Sequence, residues 1–187
     1  METANPDFFR NLSLLTRPDL LRPRLQVDSV LDLPVALEGL KIRGLILDVE
    51  QTVAPYRSTE IPEHIRSVLA KLRSDFRCCF LSNVPPTGPA RAGLAIIEGS
   101  TSIAAVNTCS KKPAKAAFQA ALDYLGTDPS HTAMVGDRLL TDILGANNAG
   151  IFSVLVKPVN WTKEPYLITA IRQFENILAA LFRAGSK

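Results

Sequence analysis

A short apolar stretch that ends in two carboxylates places the strongest limit on how this chain folds. Gly44–Leu47 contains no polar side chain and predicts a strand buried on both faces, as in a parallel sheet. Asp48 follows directly, and Glu50 comes two residues later. In extended backbone these two side chains point the same way, at the strand end where open α/β sheets bind ligands. The pair indicates a nucleophile with a proton-transfer partner, a divalent metal site, or both; a loop that is merely acidic is the alternative.

The size and composition fit one soluble domain. The chain has 187 residues, of which 47% are hydrophobic and 21% charged. Its net charge of +3 comes without a dense run of Lys and Arg, which argues against nucleic-acid binding but fits an anionic substrate or membrane surface. Three cysteines without metal-type spacing favour a reducing, cytoplasmic location. No apolar run reaches the roughly 20 residues that a membrane-spanning helix needs.

Short apolar runs alternate with helical patterns, which predicts an α/β domain with a central parallel sheet and covering helices. Strands are expected at 44–47, 77–81, 102–106, 131–135 and 151–156. Helices are expected at 61–74, 91–97, 114–125, 141–149 and 165–183.

Polar side chains of different kinds follow the first four predicted strands. They are Asp48 with Glu50, Ser82 with Asn83, Lys112, and Asp137 with Asp142. Because parallel strands bring their carboxyl ends to one edge of the sheet, these groups should converge. The set suits phosphoryl transfer, in which a carboxylate attacks phosphorus, a hydroxyl and an ammonium hold the other oxygens, and further carboxylates bind Mg²⁺.

This ordered set resembles the haloacid-dehalogenase (HAD) superfamily of aspartate-nucleophile phosphatases. Its four motifs are matched by DVEQT at 48–52, LSN at 81–83, KP at 112–113 and GDRLLTD at 136–142. Within the superfamily the chain is most similar to the class IIIA group, which includes phosphatidylglycerophosphate phosphatases, with SVLDL at 29–33 and WTKEP at 161–165 as supporting features. The resemblance implies a three-layer Rossmann-like HAD fold. The segments between the motifs are too short for a large cap domain.

The resemblance also implies a role for each motif residue. Asp48 would be the nucleophile that forms an aspartyl-phosphate, and Glu50 would be the acid/base. The predicted phosphate-binding residues are Thr52 (which would also support the loop), Ser82, Asn83 and Lys112, with Lys111 as the alternative lysine. The predicted Mg²⁺ site consists of Asp48, Glu50 through its backbone carbonyl, Asp137, and Asp142 as a ligand through water or as an orienting neighbour.

Glu50 departs from the family pattern, which has Asp at this position. The Glu and Asp side chains have similar pKa values in solution, about 4.3 and about 3.9. The two residues therefore differ in how far the carboxylate extends from the backbone. A misplacement near 1 Å can cost about 10²-fold in rate, and acid/base help is worth about 10²–10⁴-fold. Three outcomes are open: an adapted active site, slow turnover, or a binding relative with little catalysis. Retained phosphatase activity is the expectation, because the other motif residues are present.

An uncovered site suits a phosphate on a bulky molecule. The resemblance favours phosphatidylglycerophosphate as the substrate, with a phosphoprotein, a nucleotide or a sugar phosphate as alternatives. Homo-oligomer formation is left open.

The predicted domain organisation is a helical or irregular extension over 1–40 and a HAD-like domain over 41–187 that includes the C-terminal amphipathic helix. The extension mixes apolar and basic side chains, which fits either packing on the core or peripheral membrane contact. They are Phe8, Phe9, Leu12, Leu14, Leu15, Leu20 and Leu21 with Arg10, Arg17, Arg22 and Arg24. The C-terminal helix carries an apolar stripe that fits core or dimer packing, with membrane contact as the alternative. The stripe is Leu167, Ile171, Phe174, Leu178 and Leu181.

Overall fold

The structure, a computed structural model, describes residues 17–85, 87–160, 166, 169–175 and 177. The predictions for residues 1–16, for the WTKEP segment at 161–165, and for Leu167, Leu178 and Leu181 lie outside these residues.

A sheet of five parallel strands forms the centre of the fold. The strands are β1 (Leu25–Gln26), β2 (Gly44–Leu47), β3 (Arg77–Phe80), β4 (Thr132–Gly136) and β5 (Phe152–Leu155). Their order is β1-β5-β4-β2-β3, with parallel pairing throughout. Every residue of β2 and β4 is buried, as expected for strands that are covered on both faces. The α/β class with a parallel sheet is confirmed.

Helices cover both faces of the sheet. They are α1 (Leu33–Ala36), α2 (Glu63–Asp75), α3 (Pro89–Thr101), α4 (Lys115–Leu125) and α5 (Leu144–Ala149). Side chains of β2 alternate between the two layers: Leu45 and Leu47 join the core under α2 and α3, whereas Ile46 joins the core under α4 and α5. The result is the three-layer arrangement that the sequence predicts.

The region between β3 and α4 differs from the sequence-based prediction. The strand expected at 102–106 is wrong, because α3 continues to Thr101 and only Ala105 bridges to Phe80 in β3. The Phe80 amide donates to the Ala104 carbonyl, and the Val106 amide donates to the Phe80 carbonyl. The pairing is therefore one residue long. The helix expected at 91–97 is longer at both ends, since Gly99 lies in open space and does not stop it.

The described part of the N-terminal region packs on the core. β1 pairs with β5, and Leu20 and Leu21 pack against Leu144 at the start of α5. The short turn at Val30–Asp32 and α1 place Val30 and Leu33 in the main core. None of the helices in the described residues has both the length and the apolar composition that would let it cross a bilayer.

The chain is helical again over 169–175, and of the predicted apolar stripe Ile171 and Phe174 fall within these residues. Phe174 is 51% exposed, whereas Arg172 and Glu175 are almost fully buried. The described part of this helix therefore packs against the rest of the molecule through charged side chains.

Candidate active site

The predicted polar residues converge at the carboxyl end of the sheet, as the strand order requires. They surround a cavity of about 250 Å³ beyond β2, β3 and β4. Its lining includes Asp48, Glu50, Ser82, Asn83, Lys112 and Asp137. Asp142 is buried and pairs with Lys112, and Thr52 is buried outside the lining. This position of Thr52 fits support of the loop, and its predicted contact with phosphate stays a prediction.

Lys112 links two carboxylates in the interior of the site. Its Nζ lies 2.5 Å from Oδ1 of Asp48 and 2.7 Å from Oδ1 of Asp142. Burial opposes the charge on Lys112, but Asp142 and Asp48 outweigh it and raise the pKa of the ammonium. Lys111 is exposed. The geometry therefore favours Lys112 over Lys111 as the motif lysine.

Asn83 fixes the backbone from which Lys112 extends. Its side-chain Nδ2 donates to the Lys112 carbonyl at 3.1 Å, and its Oδ1 accepts from the Lys112 amide at 2.7 Å. Both polar atoms of the Asn83 side chain are engaged in this pair. Its part in the site is thus to position Lys112, while its predicted contact with phosphate stays a prediction.

Gly136 allows Asp142 to lie directly against the end of β4. A Cβ atom at position 136 would fall inside the carboxyl group of Asp142. Oδ2 of Asp142 accepts a hydrogen bond from the Arg138 amide at 3.1 Å, in the turn that leads into the π-helical segment Leu139–Ile143. The GD pair of the fourth motif therefore has a steric reason for its glycine as well as a chemical reason for its aspartate.

Asp137 is neutralised by a residue from the C-terminal helix. Arg172 donates to Oδ2 of Asp137 at 2.7 Å and to its backbone carbonyl at 3.1 Å. Oδ1 of Asp137 is buried and has no hydrogen-bond partner in the described residues. One oxygen of this carboxylate is therefore held in place while the other is available to a ligand.

Three carboxylates form a candidate metal centre. Asp48, Asp137 and Asp142 each offer one oxygen, and these oxygens lie within 4.8 Å of one another. Buried oxygen donors of this kind suit Mg²⁺, and the unpartnered Oδ1 of Asp137 supports the fit. The carboxylate of Glu50 is not in this cluster, so its predicted metal contact rests on the backbone carbonyl alone.

In the absence of a cation, burial raises the pKa of two carboxyl groups of the cluster, Asp137 and Asp48. Burial raises the pKa of Asp137 to about 8, with Asp48 and Asp142 adding to the shift and Arg172 opposing it. Burial also raises the pKa of Asp48 to about 6, opposed by Lys112 and reinforced by Asp142. A divalent cation favours the ionised carboxylates, so it would reverse both shifts.

The loop after β2 is held by Gln51, a residue that the sequence analysis does not single out. Its backbone has φ of +61°, in the left-handed region that is costly for a residue with a side chain. The side-chain amide of Gln51 donates to the Asn160 carbonyl at 2.6 Å and accepts from the Asn160 amide at 2.9 Å. These bonds tie the catalytic loop to the chain that leaves β5.

Other residues of the site also escaped the sequence analysis. Arg57, Arg138 and Arg172 line the cavity, and Glu175 accepts a hydrogen bond from the Leu140 amide at 3.1 Å. The sequence signal for Arg172 and Glu175 was weak but present. Arg172 and Glu175 are three residues apart, hence on one side of a helix, and an apolar-stripe interpretation assigns that side to solvent.

Comparison with known proteins identifies the family. A family model described as mitochondrial PGP phosphatase matches residues 8–160, which is most of the chain. This chain belongs to the PGP phosphatase family. Its predicted resemblance to HAD phosphatases of the phosphatidylglycerophosphate group is confirmed, and it is a phosphoric monoester hydrolase.

Two curated relatives of the PGP phosphatase family match over most of this chain. Phosphatidylglycerophosphatase GEP4, mitochondrial, from Saccharomyces cerevisiae is 30% identical over 156 residues, covering 78% of this chain and 83% of that protein. Phosphatidylglycerophosphate phosphatase 1, chloroplastic, from Chlamydomonas reinhardtii is 27% identical over 150 residues. That match covers 78% of this chain but only 55% of the algal protein.

The fold of this PGP phosphatase family member also occurs in a solved structure. An uncharacterized protein from Listeria monocytogenes serotype 4b superposes with a TM-score of 0.50 at 19% identity. The match covers 74% of this chain and 99% of that one. At this identity the similarity concerns the fold alone.

Proposed function

We propose that this protein hydrolyses the terminal phosphomonoester of phosphatidylglycerophosphate in a Mg²⁺-dependent reaction through an aspartyl-phosphate on Asp48. One observation carries the chemistry: the buried carboxylate of Asp48 at the end of β2 is paired with Lys112 and adjoins two further carboxylates. The family and the names of its two relatives support the choice of lipid.

In the first step a carboxylate oxygen of Asp48 bonds to phosphorus while the bond between phosphorus and the alcohol oxygen breaks. Lys112 donates a hydrogen bond to Oδ1 of Asp48, and Oδ2 would be the oxygen that attacks. Lys112 and Ser82 would hold the non-transferring oxygens, and the Glu50 carboxyl group would give its proton to the departing alcohol.

In the second step water attacks the phosphorus of the aspartyl-phosphate, Glu50 takes the proton from that water, and inorganic phosphate leaves with Asp48 restored. When bound by Asp48, Asp137, Asp142 and the Glu50 carbonyl, Mg²⁺ would supply the charge that lets an anionic nucleophile approach an anionic phosphate. Arg172 holds Asp137 in place throughout, and Asn83 holds Lys112.

The names of the two relatives bear on the cellular location. The two relatives are named as mitochondrial and chloroplastic proteins, so the cytoplasmic location expected from the sequence gains no support from them. Peripheral membrane contact and a homo-oligomer stay predictions.

The test is Mg²⁺-dependent phosphate release from phosphatidylglycerophosphate in mixed micelles, beside a generic aryl phosphate, with wild type and Asp48→Asn. We expect wild type to prefer the lipid and Asp48→Asn to lose at least about 10³-fold in kcat, because the nucleophile is gone. Gln173→Ala, a change of an exposed side chain near Arg172, is the matched control and should behave as wild type.

Each alternative outcome has a clear meaning. Activity confined to the aryl phosphate would remove the lipid assignment and point to a phosphoprotein, nucleotide or sugar phosphate. Full activity of Asp48→Asn would overturn the aspartyl-phosphate. Equal activity in EDTA would overturn the role of Mg²⁺.

A further inference from the structure

A second cavity adjoins the phosphoryl site and has no part in the chemistry above. It measures about 420 Å³ and lies between the loop after β2 and the first turns of α3. Val49, Val84, Pro89, Leu94 and Ile97 give it a mostly apolar wall. This volume and composition are typical of pockets that hold small molecules.

The two cavities are neighbours. Glu50, Arg57, Val84 and Ala90 line both of them. The apolar cavity therefore lies next to the place where the leaving group of a phosphoryl substrate bound beside Asp48 would be. Of these two cavities, both lined by described residues, the apolar cavity is the larger.

Arg57 marks the junction between the cavities. Its backbone has φ of +52°, a left-handed conformation that is unfavourable for a residue with a side chain. Its guanidinium lies 5.3 Å from the centre of the Tyr56 ring and forms no ion pair among the described residues. Strained residues of this kind are concentrated at ligand-binding sites, and an unpaired guanidinium is well suited to bind a phosphate.

We propose that the second cavity binds the part of the substrate beyond the scissile phosphate, with Arg57 pairing a second phosphate group and the apolar wall contacting the esterified glycerol attached to it. The inference rests on the proposed function and gives it a specificity site. It defines the substrate class as a phosphomonoester joined through a short alcohol to an anionic phosphodiester that bears an apolar group.

This assignment explains how an uncapped site can select a lipid. The phosphoryl site recognises only features that all phosphomonoesters share, whereas a cation beside it favours substrates that carry a second anion. A cavity that excludes water from the glycerol backbone then adds apolar burial, which nucleotides and sugar phosphates lack. Discrimination therefore comes from Arg57 and the apolar wall acting on different parts of one molecule.

The experiment compares three substrates in the presence of Mg²⁺: short-chain phosphatidylglycerophosphate, its deacylated form, and an aryl phosphate. Arg57→Gln should raise KM about 10-fold for the two substrates that contain the phosphodiester, and far less for the aryl phosphate. Thr59→Phe, which projects a ring into the apolar cavity from an exposed position, should raise KM about 10-fold for the acylated substrate alone. Ala95→Phe adds the same ring on the exposed side of α3 and is the control.

A binding measurement gives a second readout. Short-chain phosphatidylglycerol has the phosphodiester but no terminal phosphate, so it should inhibit competitively, about 10-fold less well with Arg57→Gln. If both variants lower activity on all three substrates equally, or on none, this inference is overturned while the phosphatase assignment stands. If wild type hydrolyses the aryl phosphate but neither lipid-derived substrate, the proposed lipid substrate and this specificity site both fail.

Discussion

At the scale of single residues, Glu50 has an unusual position. It is half-buried, it lines both cavities, and its backbone bridges to Ala54 across the loop after β2. The Glu50 side chain, which is one methylene longer than that of Asp, thus extends from a loop that is held tightly. The additional methylene does not have to fit into a packed core. This arrangement favours an adapted acid/base over a disabled one.

We expect Glu50→Gln to lower kcat by about 10²–10⁴-fold, because the amide can neither give nor take the proton. Glu50→Asp should stay within about 10²-fold of wild type, the typical effect of a displacement near 1 Å. Steady-state kinetics on the preferred substrate measures both. Unchanged turnover in Glu50→Gln would assign the proton transfer to another group, and a rise above 10²-fold in Glu50→Asp would show that the natural residue is impaired.

Gly136 gives a prediction about close packing. Gly136→Ala would place a methyl group inside the carboxyl group of Asp142, so the π-helical turn must shift and Lys112 loses one of its two partners. We expect a loss of about 1–3 kcal/mol in the free energy of unfolding and a large fall in kcat.

The matched control for Gly136→Ala is Gly99→Ala. Gly99 lies within α3 with nothing near its Cβ position, so alanine there should stabilise the protein by up to about 1 kcal/mol and leave activity intact. Urea unfolding and kinetics of the two variants side by side test the point. Equal behaviour of the two would contradict the close approach of Asp142 to β4.

At the scale of secondary-structure elements, the C-terminal helical segment 169–175 is part of the site. Arg172 binds Asp137, and Glu175 accepts from the Leu140 amide and lies 3.7 Å from Arg138. The segment therefore organises the turn after β4 through two charged side chains. Burial raises the pKa of Glu175, and Arg138 is the main charge that lowers it again.

Above pH 8, where Asp137 is ionised, Arg172→Met should destabilise the metal-free protein by about 3 kcal/mol, because a buried carboxylate loses its counter-charge. Mg²⁺ should restore more stability to this variant than to wild type, since a cation at Asp137 takes over the neutralising role. Thermal unfolding in EDTA and in Mg²⁺ measures both effects, with Gln173→Ala as the control. A variant that unfolds like wild type in EDTA would show that the contact contributes nothing.

The sequence predicted the elements whose signals are local. β2 to β5 are short apolar runs with turns at their ends, and the polar residues that follow β2 and β4 identified Asp48 and Asp137. Lys112 was identified from the run at 102–106, which is not a strand, so the residue was found although the element before it was wrong. β1 has no such signal, because it is two residues long and exists through its pairing with β5. The run at 102–106 has an apolar pattern but finds only one partner residue in β3. Arg172 could not be placed, since helical periodicity shows which residues share a face but not what that face contacts.

At the scale of the whole molecule, the buried carboxylates make stability depend on pH. Asp48 and Asp137 have raised pKa values in the folded state, about 6 and about 8, so the folded protein binds these protons more tightly than the unfolded chain. Their contribution to stability is present below the unfolded pKa of about 3.9 and is lost as pH rises to about 8.

Without metal, we therefore expect the melting temperature to fall as the pH rises from 5 to 8.5, because of these two groups. Mg²⁺ should raise the melting temperature more at pH 8.5 than at pH 5, because it binds the ionised carboxylates. Scans in EDTA and in Mg²⁺ measure both, and Asp137→Asn should flatten the metal-free profile. A Mg²⁺ effect that is equal at both pH values would contradict the shared burial of these groups.

The order of the strands in the sheet affects when each strand can pair during synthesis. Of the strands that the structure describes, β1 is synthesised first and its partner β5 last, and Arg24 and Ser153 at this junction are 129 residues apart. Closing so long a loop is entropically costly and slow, so we expect β1 to pair after the other described strands. During that interval an unpaired strand is open to neighbouring chains. At two residues, β1 is too short to recruit them, which protects the nascent protein from aggregation.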